Sequence, residues 1–256
     1  MKKTKSKFLV PQCLSALAPS KKSAFTLAEV LITLAIIGVV AAMTIPTLTA
    51  NYKKKVVETR LARFYSSMNQ ALQLSSATNG YYTEWDSLNR ERVEREDGSA
   101  YYHTDNGLEW FNKYLAPYIK TLKVTDEENT EDGNVAVYFP DGSLLLFSGS
   151  SFVFYPFASD YEKIIKDEEA GVADRNRDFC GIKYFTFAFY PKSDVKWFRN
   201  KGLVPFTNSA WDGTREDLLS DPTLGCQETV TNERAFCTKL IEMNGWKLPE
   251  DYPFKF

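Results

Sequence analysis

Between Phe25 and Ile45 the chain runs for 21 residues with a single charged side chain, Glu29. A helix of that length rises about 30 Å, the thickness of a bilayer's hydrocarbon core. A helix apolar on every side has no face to turn to water, so the run belongs in lipid or among other apolar surfaces. Residues 1–24 hold six lysines (Lys2, Lys3, Lys5, Lys7, Lys21 and Lys22) and no acid, whereas Lys53, Lys54 and Lys55 follow the run. That asymmetry keeps the start of the chain in the cytoplasm and sends the remainder outward. The net charge of −2 hides this polarity, because the residues after position 24 carry −8. An acidic exported body repels duplex phosphates, so no direct nucleic-acid contact is expected.

Two simpler accounts of the run explain less. A secretory signal peptide cut after Ala16-Leu17-Ala18 would use Phe8–Leu14 as its core, which Pro11 and Gln12 interrupt, and the stronger run would still follow. A plain anchor leaves Glu29 without a reason, since a carboxylate near the centre of a membrane helix costs about 2.5–3.5 kcal/mol. In an isolated subunit Glu29 can instead snorkel to the cytoplasmic interface.

The segment Lys21-Lys22-Ser23-Ala24-Phe25-Thr26-Leu27-Ala28-Glu29, followed by the apolar run, resembles the processing site of type IV pilins and type II secretion pseudopilins. The resemblance implies that a prepilin peptidase cuts between Ala24 and Phe25. Phe25 then becomes the N-methylated first residue, and Glu29 is the carboxylate needed for assembly. The family usually has Gly before the cut, where this chain has Ala24. Gly38 and Pro46 match a small residue and a helix kink in family members. No Lys or Arg lies within the run, so a buried Glu29 would take the freed Phe25 amine, on its own chain or a neighbour's, as its cation.

Beyond Pro46, Val57, Leu61, Phe64, Met68, Leu72 and Ser75 recur every three or four residues, while Arg60, Arg63, Ser67 and Gln70 fall on the other side. The spacing predicts a helix continuing to about Thr78 and stopping before Asn79-Gly80. Lys53–Lys55, Arg60 and Arg63 are read as a solvated face, or as contacts for acidic heads of neighbouring subunits. Residues 80–106 read as a polar loop, Gly107 to Lys120 as a short amphipathic helix, and Asp126–Asp132 as an exposed acidic loop. Strands are expected at Val135–Phe139, Leu144–Phe147, Phe152–Phe157, Tyr184–Tyr190 and Leu203–Phe206, with turns at Asp141-Gly142 and Asn200-Lys201-Gly202. A helix from about Asn232 to Asn244 ends at Gly245. The expected fold class is α+β, a long N-terminal helix packed on an antiparallel β-sheet with a C-terminal helix.

Chemistry-bearing residues are sparse. His103 is the single histidine and falls in the expected polar loop, which suits neither a metal cluster nor a nucleophile–base pair. Asp174-Arg175-Asn176-Arg177-Asp178 alternates oxygen ligands as calcium loops do, but lacks their glycine and terminal acid; a solvated turn is the other reading. No phosphate-loop or nucleotide fingerprint is present, and no cofactor or metal is expected. Cys13 would leave with the leader, so Cys180, Cys226 and Cys237 reach an oxidising compartment, and three thiols leave one unpaired. Cys226 and Cys237, followed by Gly245-Trp246 and Asp251-Tyr252-Pro253, resemble the C-terminal disulfide loop of many pilins. That resemblance implies a Cys226–Cys237 bond and a free, buried Cys180.

The expected organisation is a prepilin leader at 1–24, a transmembrane and assembly helix at 25–50, and an exported pilin-like head at 51–256. The function implied is that of a non-enzymatic minor pilin or pseudopilin, polymerised into a type IV pilus or type II secretion pseudopilus. Its partners would be prepilin peptidase, other pilin or pseudopilin subunits, the inner-membrane assembly platform and the membrane itself. Its place would be the bacterial inner membrane, single-pass, with a cytoplasmic N-terminus and the head periplasmic or extracellular. The alternative is a membrane-anchored ligand-binding or enzymatic head that uses the signal only for export.

Overall fold

The structure is a computed structural model that describes residues 26–88, 90–94, 100–127, 134–169 and 175–256. The 1–24 leader with Cys13, the Ala24–Phe25 junction, Asp174 and residues 128–132 of the acidic stretch lie outside the described residues. Helix α1 runs from Leu27 to Asn79 and includes Pro46. The chain divides into a first unit ending at Thr47 and a second from Leu48 to Phe256.

In the second unit α1 buries Val57, Glu58, Leu61, Phe64, Met68, Ala71, Leu72 and Ser75. The three-and-four spacing read from the sequence is therefore the core-facing stripe, with Glu58 as an unanticipated member. The stripe meets a six-stranded sheet: β3 (Lys123–Glu127), β4 (Asn134–Tyr138), β5 (Leu144–Ser148), β6 (Ser151–Tyr155), β7 (Phe185–Ala188) and β8 (Val204–Pro205). The strands lie in sequence order and each neighbouring pair is antiparallel. Register is set by pairs such as Val135 opposite Phe147, Leu146 opposite Val153 and Phe154 opposite Phe185. The β4–β5 turn forms at Asp141-Gly142 as expected. The Phe139 N–H donates to the Ser143 carbonyl at 2.9 Å, and Gly142 adopts φ +81°, which a side chain would strain.

The pleat sends alternate residues to two different cores. Val137, Leu145, Phe147, Phe152, Phe154 and Phe187 pack with Phe64 and Met68 of α1 and with Trp110 and Phe111 of α2 (Gly107–Tyr114). Phe64 stacks on Phe154 with ring centroids 4.1 Å apart and meets Phe139 and Phe187 edge-on. Truncating such a ring to Ala costs about 3–5 kcal/mol. Ala136, Leu144, Leu146 and Tyr155 point the other way, onto Tyr161 and Ile164 of α3 (Ala158–Glu169). Covered on both faces, β5 is buried along its whole length, which accounts for its unbroken apolar run.

Several expectations need correction. The helix expected from Gly107 to Lys120 is α2 followed by a separate 3-10 turn at Ala116–Tyr118, where Pro117 begins a new turn. Residues 80–106 are not all loop: β1 (Arg90–Glu94) and β2 (Ala100–Thr104) pair antiparallel, with His103 opposite Glu91. Their ladder is made by backbone groups and needs no apolar alternation. Helix α3 had no expectation, because Tyr161, Ile164 and Ile165 are its only large apolar positions. Arg175–Phe179, read as a calcium-type loop or a solvated turn, forms a wide helical turn. Arg60 does not face away: it lies 4.7 Å over the Phe157 ring and donates to the Pro156 and Asp141 carbonyls. The remaining helices are α4 (Arg215–Ser220) and α5 (Cys237–Met243), the latter starting five residues later than expected and closing with Gly245 N–H on the Glu242 carbonyl at 2.9 Å.

Candidate assembly site

The first turn of α1 is closed by its own side chains. Thr26 stands just before the helix, and its backbone N–H and its hydroxyl both donate to Glu29 Oε2 at 2.8 Å. The Glu29 N–H returns a bond to Thr26 Oγ1 at 3.2 Å. This is a capping box, in which the two residues satisfy donors that the helix start leaves unpaired. A carboxylate there also suits the positive end of the helix dipole. The sequence reading missed this role although the Thr-x-x-Glu spacing carries it, having looked for a cation rather than for backbone donors. Among the described residues Thr26 is the partner of Glu29; the Phe25 amine lies outside them. Both of these bonds fall on Oε2.

Among the described residues, the rest of the first unit presents a mainly apolar surface. Leu31, Ile32, Leu34, Ile36 and Ile37, which between them point to every side of the helix, are each more than half exposed. A soluble protein rarely shows so continuous an apolar surface, and one long apolar helix of this kind suits a single-pass membrane anchor. Among the described residues, nothing outside the helix's own adjacent backbone comes within 4 Å of the position a Cβ on Gly38 would take. Pro46 stands inside α1 without ending it, and lacks the N–H that would bond the preceding turn.

In the head, Cys226 and Cys237 form the expected disulfide, with Cα atoms 4.6 Å apart. The bond sits in a core of its own with Trp211, Leu218, Phe236 and Leu240. Gly181 packs against it: a Cβ there would meet Cys237 Sγ at 2.6 Å, and its φ of +79° already demands glycine. Cys180 is free and fully buried, as expected. Burial pushes its thiol well above the ordinary range, and the nearby Glu233 carboxylate adds to this. The thiol is therefore protonated and unreactive in the folded head.

The segment that follows α5 returns to α1. Glu58 Oε1 accepts the Leu248 N–H at 3.0 Å. Asp251 takes Arg215 Nη2 on both oxygens, at 2.6 and 2.7 Å, which holds its carboxyl below the usual range. The Tyr252 hydroxyl donates to the Gly181 carbonyl at 2.5 Å, and Arg234 lies 4.2 Å over the Phe254 ring. The described residues also form clefts. One of about 350 Å³ has an aromatic floor of Trp85, Trp110 and Phe189 beside Lys192. One of about 390 Å³ lies between Arg60, Arg63 and Tyr118. Among the described residues no three His, Cys, Asp or Glu side chains are grouped to hold a metal ion. The His103 side chain is not described, and of the suggested calcium loop Asp178 is exposed on its helical turn.

The profile of a prokaryotic N-terminal methylation motif matches residues 19–45, the region that holds the Ala24–Phe25 junction, Glu29 and the apolar run. The chain thus carries the signal of a pilin-type precursor, a substrate of prepilin peptidase that assembles with other pilins. The antiparallel sheet on a long N-terminal helix, the C-terminal helix and the disulfide fit an α+β pilin-like fold. No curated protein and no solved structure matches the chain. A second profile covers residues 47–256, the whole of the head, and by that match the chain belongs to a family of unknown function, DUF6613.

Proposed function

We propose that this protein is a structural, non-catalytic subunit, a minor pilin or pseudopilin, that polymerises through α1 into a type IV pilus or type II secretion pseudopilus. Cleavage between Ala24 and Phe25 and methylation of Phe25 prepare it, the inner-membrane platform extracts it, and the head faces outward. The observation that carries this reading is the change in α1 along its length. Up to Ile45 its apolar side chains are exposed on every side, and from Val57 the same helix becomes the core of the head. Surface of the first kind is stable in lipid before assembly and among like helices after it.

In the filament interior, Glu29 pairs with the Phe25 amine of a neighbour, an ion pair that sets register in a low-dielectric core. The test is Glu29→Leu in a cell with the complete machinery. Insertion and cleavage should persist, because the scissile bond is four residues away and a costly charge has gone. The processed variant should accumulate in the membrane and be scarce in sheared filaments. Wild-type incorporation of Glu29→Leu would remove this carboxylate from assembly and favour a passively anchored head.

A further inference from the structure

Between α1 and the end of the sheet where β3 begins and β4 ends lies the cleft of about 390 Å³. It is apolar at depth: Phe64 and Phe139 are buried, and Tyr118 and Ile119 are half-buried. Three cations line it, Arg60, Arg63 and Lys120, against one acid, Asp141. Asp141 is occupied in its own turn, where Oδ1 accepts the Ser143 N–H at 3.1 Å and the Ser143 hydroxyl at 2.6 Å. The groups that fix Arg60, the Pro156 and Asp141 carbonyls and the Phe157 ring, are neutral. Arg63 and Lys120 are exposed, and neither has an ion pair or hydrogen bond among the described residues.

The matching charge is in the same chain. Asp126, Glu127, Glu128, Glu131 and Asp132 put five carboxylates into seven residues with no base among them. Strand β3 ends at Glu127 opposite Asn134, where β4 begins, so this stretch joins the two strands at one end of the sheet. At the other end the cleft residues Tyr118–Lys120 lead into β3, and Phe139–Asp141 lead out of β4. Strands of five residues hold the two ends about 17 Å apart, so β3 and β4 keep a chain's own acidic stretch from its own cleft. Complementary surfaces at opposite ends of one rigid element meet between copies. Such a head-to-tail contact leaves an open cleft on one copy and an open acidic end on the other, so it can repeat.

We propose that the acidic stretch 126–132 of one copy docks in the Arg60–Arg63–Lys120 cleft of the next, its carboxylates on Arg63 and Lys120 and the chain between them over Phe64, Ile119 and Phe139. The proposal rests on reading the protein as a polymerising subunit, and it names the head surfaces by which neighbours meet. Charge favours a second copy as the occupant. The residues after position 24 carry −8, so unpaired heads repel, and this pairing sets the densest acidic run against free cations. One cleft buries too little surface for a stable dimer by itself. The contact therefore fixes register between subunits that α1 already holds together.

The test is cysteine cross-linking of the full chain in a cell with the complete machinery. One copy carries Gln70→Cys at the cleft, and a co-expressed second copy carries Thr130→Cys in the acidic stretch. Sheared filaments should contain the mixed disulfide dimer, and neither variant expressed alone should dimerise. Arg63→Glu with Lys120→Glu in the cleft copy should lower the yield roughly tenfold, because like charges then face each other. Adding Glu128→Lys and Glu131→Lys to the other copy should restore the parent level, which a misfolded head could not do. An equal yield after the cleft reversal, or no recovery on the swap, overturns the docking. So does a dimer of Gln70→Cys with itself, which would pair this face with its own kind. Filaments that hold the processed chain but no mixed dimer overturn this contact and leave the polymer reading standing. Absence of the unsubstituted chain from filaments would sink that reading, and this proposal with it.

Discussion

Glu58 and Leu248 are 190 positions apart, yet the Glu58 carboxylate accepts the Leu248 backbone N–H at 3.0 Å in a setting where both residues are buried. A buried carboxylate on the core stripe of α1 looks like an error until its partner is seen. The bond satisfies a main-chain donor that no strand or helix serves, and it fixes where the chain returns to α1. Glu58→Leu should leave that N–H unsatisfied and lower stability by about 1–3 kcal/mol. Glu58→Gln, which keeps an acceptor, should cost less. Chemical denaturation of the two variants, with exchange of the Leu248 amide, checks the order; equal losses would mean that packing and not the hydrogen bond is at stake.

The thiols of the processed chain should count as one free and two paired. Alkylation of the folded protein should leave Cys180 unmodified, denaturation without reductant should expose one thiol per chain, and reduction should add two more. Cys226→Ser should lower stability by roughly 3 kcal/mol, the chain-entropy value for a loop of this size. A non-reducing peptide map that joins Cys180 to either partner would contradict the pairing.

Acid sensitivity should track two exposed carboxylates. Asp86 is held below its ordinary range by hydrogen bonds from Lys113 and Tyr114, and Asp251 by those from Arg215. A carboxylate whose pKa is lower in the folded state stabilises fully above its unfolded pKa of about 3.9, and that contribution is lost as pH falls through the folded value. Stability should therefore fall below about pH 4. Arg215→Met should make the fall shallower in that window and change little at pH 7 beyond the lost pair. Parallel stability–pH curves for the variant and the parent would show that Asp251 contributes nothing to the acid limb.

Most of the frame was legible because its signals are local. Twenty-one residues with one charge, a Lys-Lys-Ser-Ala-Phe-Thr start and a three-and-four apolar stripe from Val57 to Ser75 are properties of neighbouring residues along one helix. The aromatic and branched runs of β4 to β7, and Asp141-Gly142 between two of them, are local in the same sense. From these alone the chain reads as a long helix, apolar at its start, whose later half packs on an antiparallel sheet. Even the capping box at Thr26 and Glu29 could have been read at this level, from a spacing of three.

Tertiary structure decided what the polar and weakly patterned residues do. Helix α3 exists because the back of the sheet offers Ala136, Leu144, Leu146 and Tyr155, on which Tyr161 and Ile164 pack together with Cys180 and Tyr184. Arg60 turns inward because two carbonyls and the Phe157 ring wait there, and Glu58 is tolerated because Leu248 arrives with a free N–H. Apolar periodicity reports which side of an element leaves water, since burial depends on each residue's own surface. The worth of a buried charge depends instead on a donor or acceptor delivered by another part of the chain. That delivery is settled only when the whole head has closed.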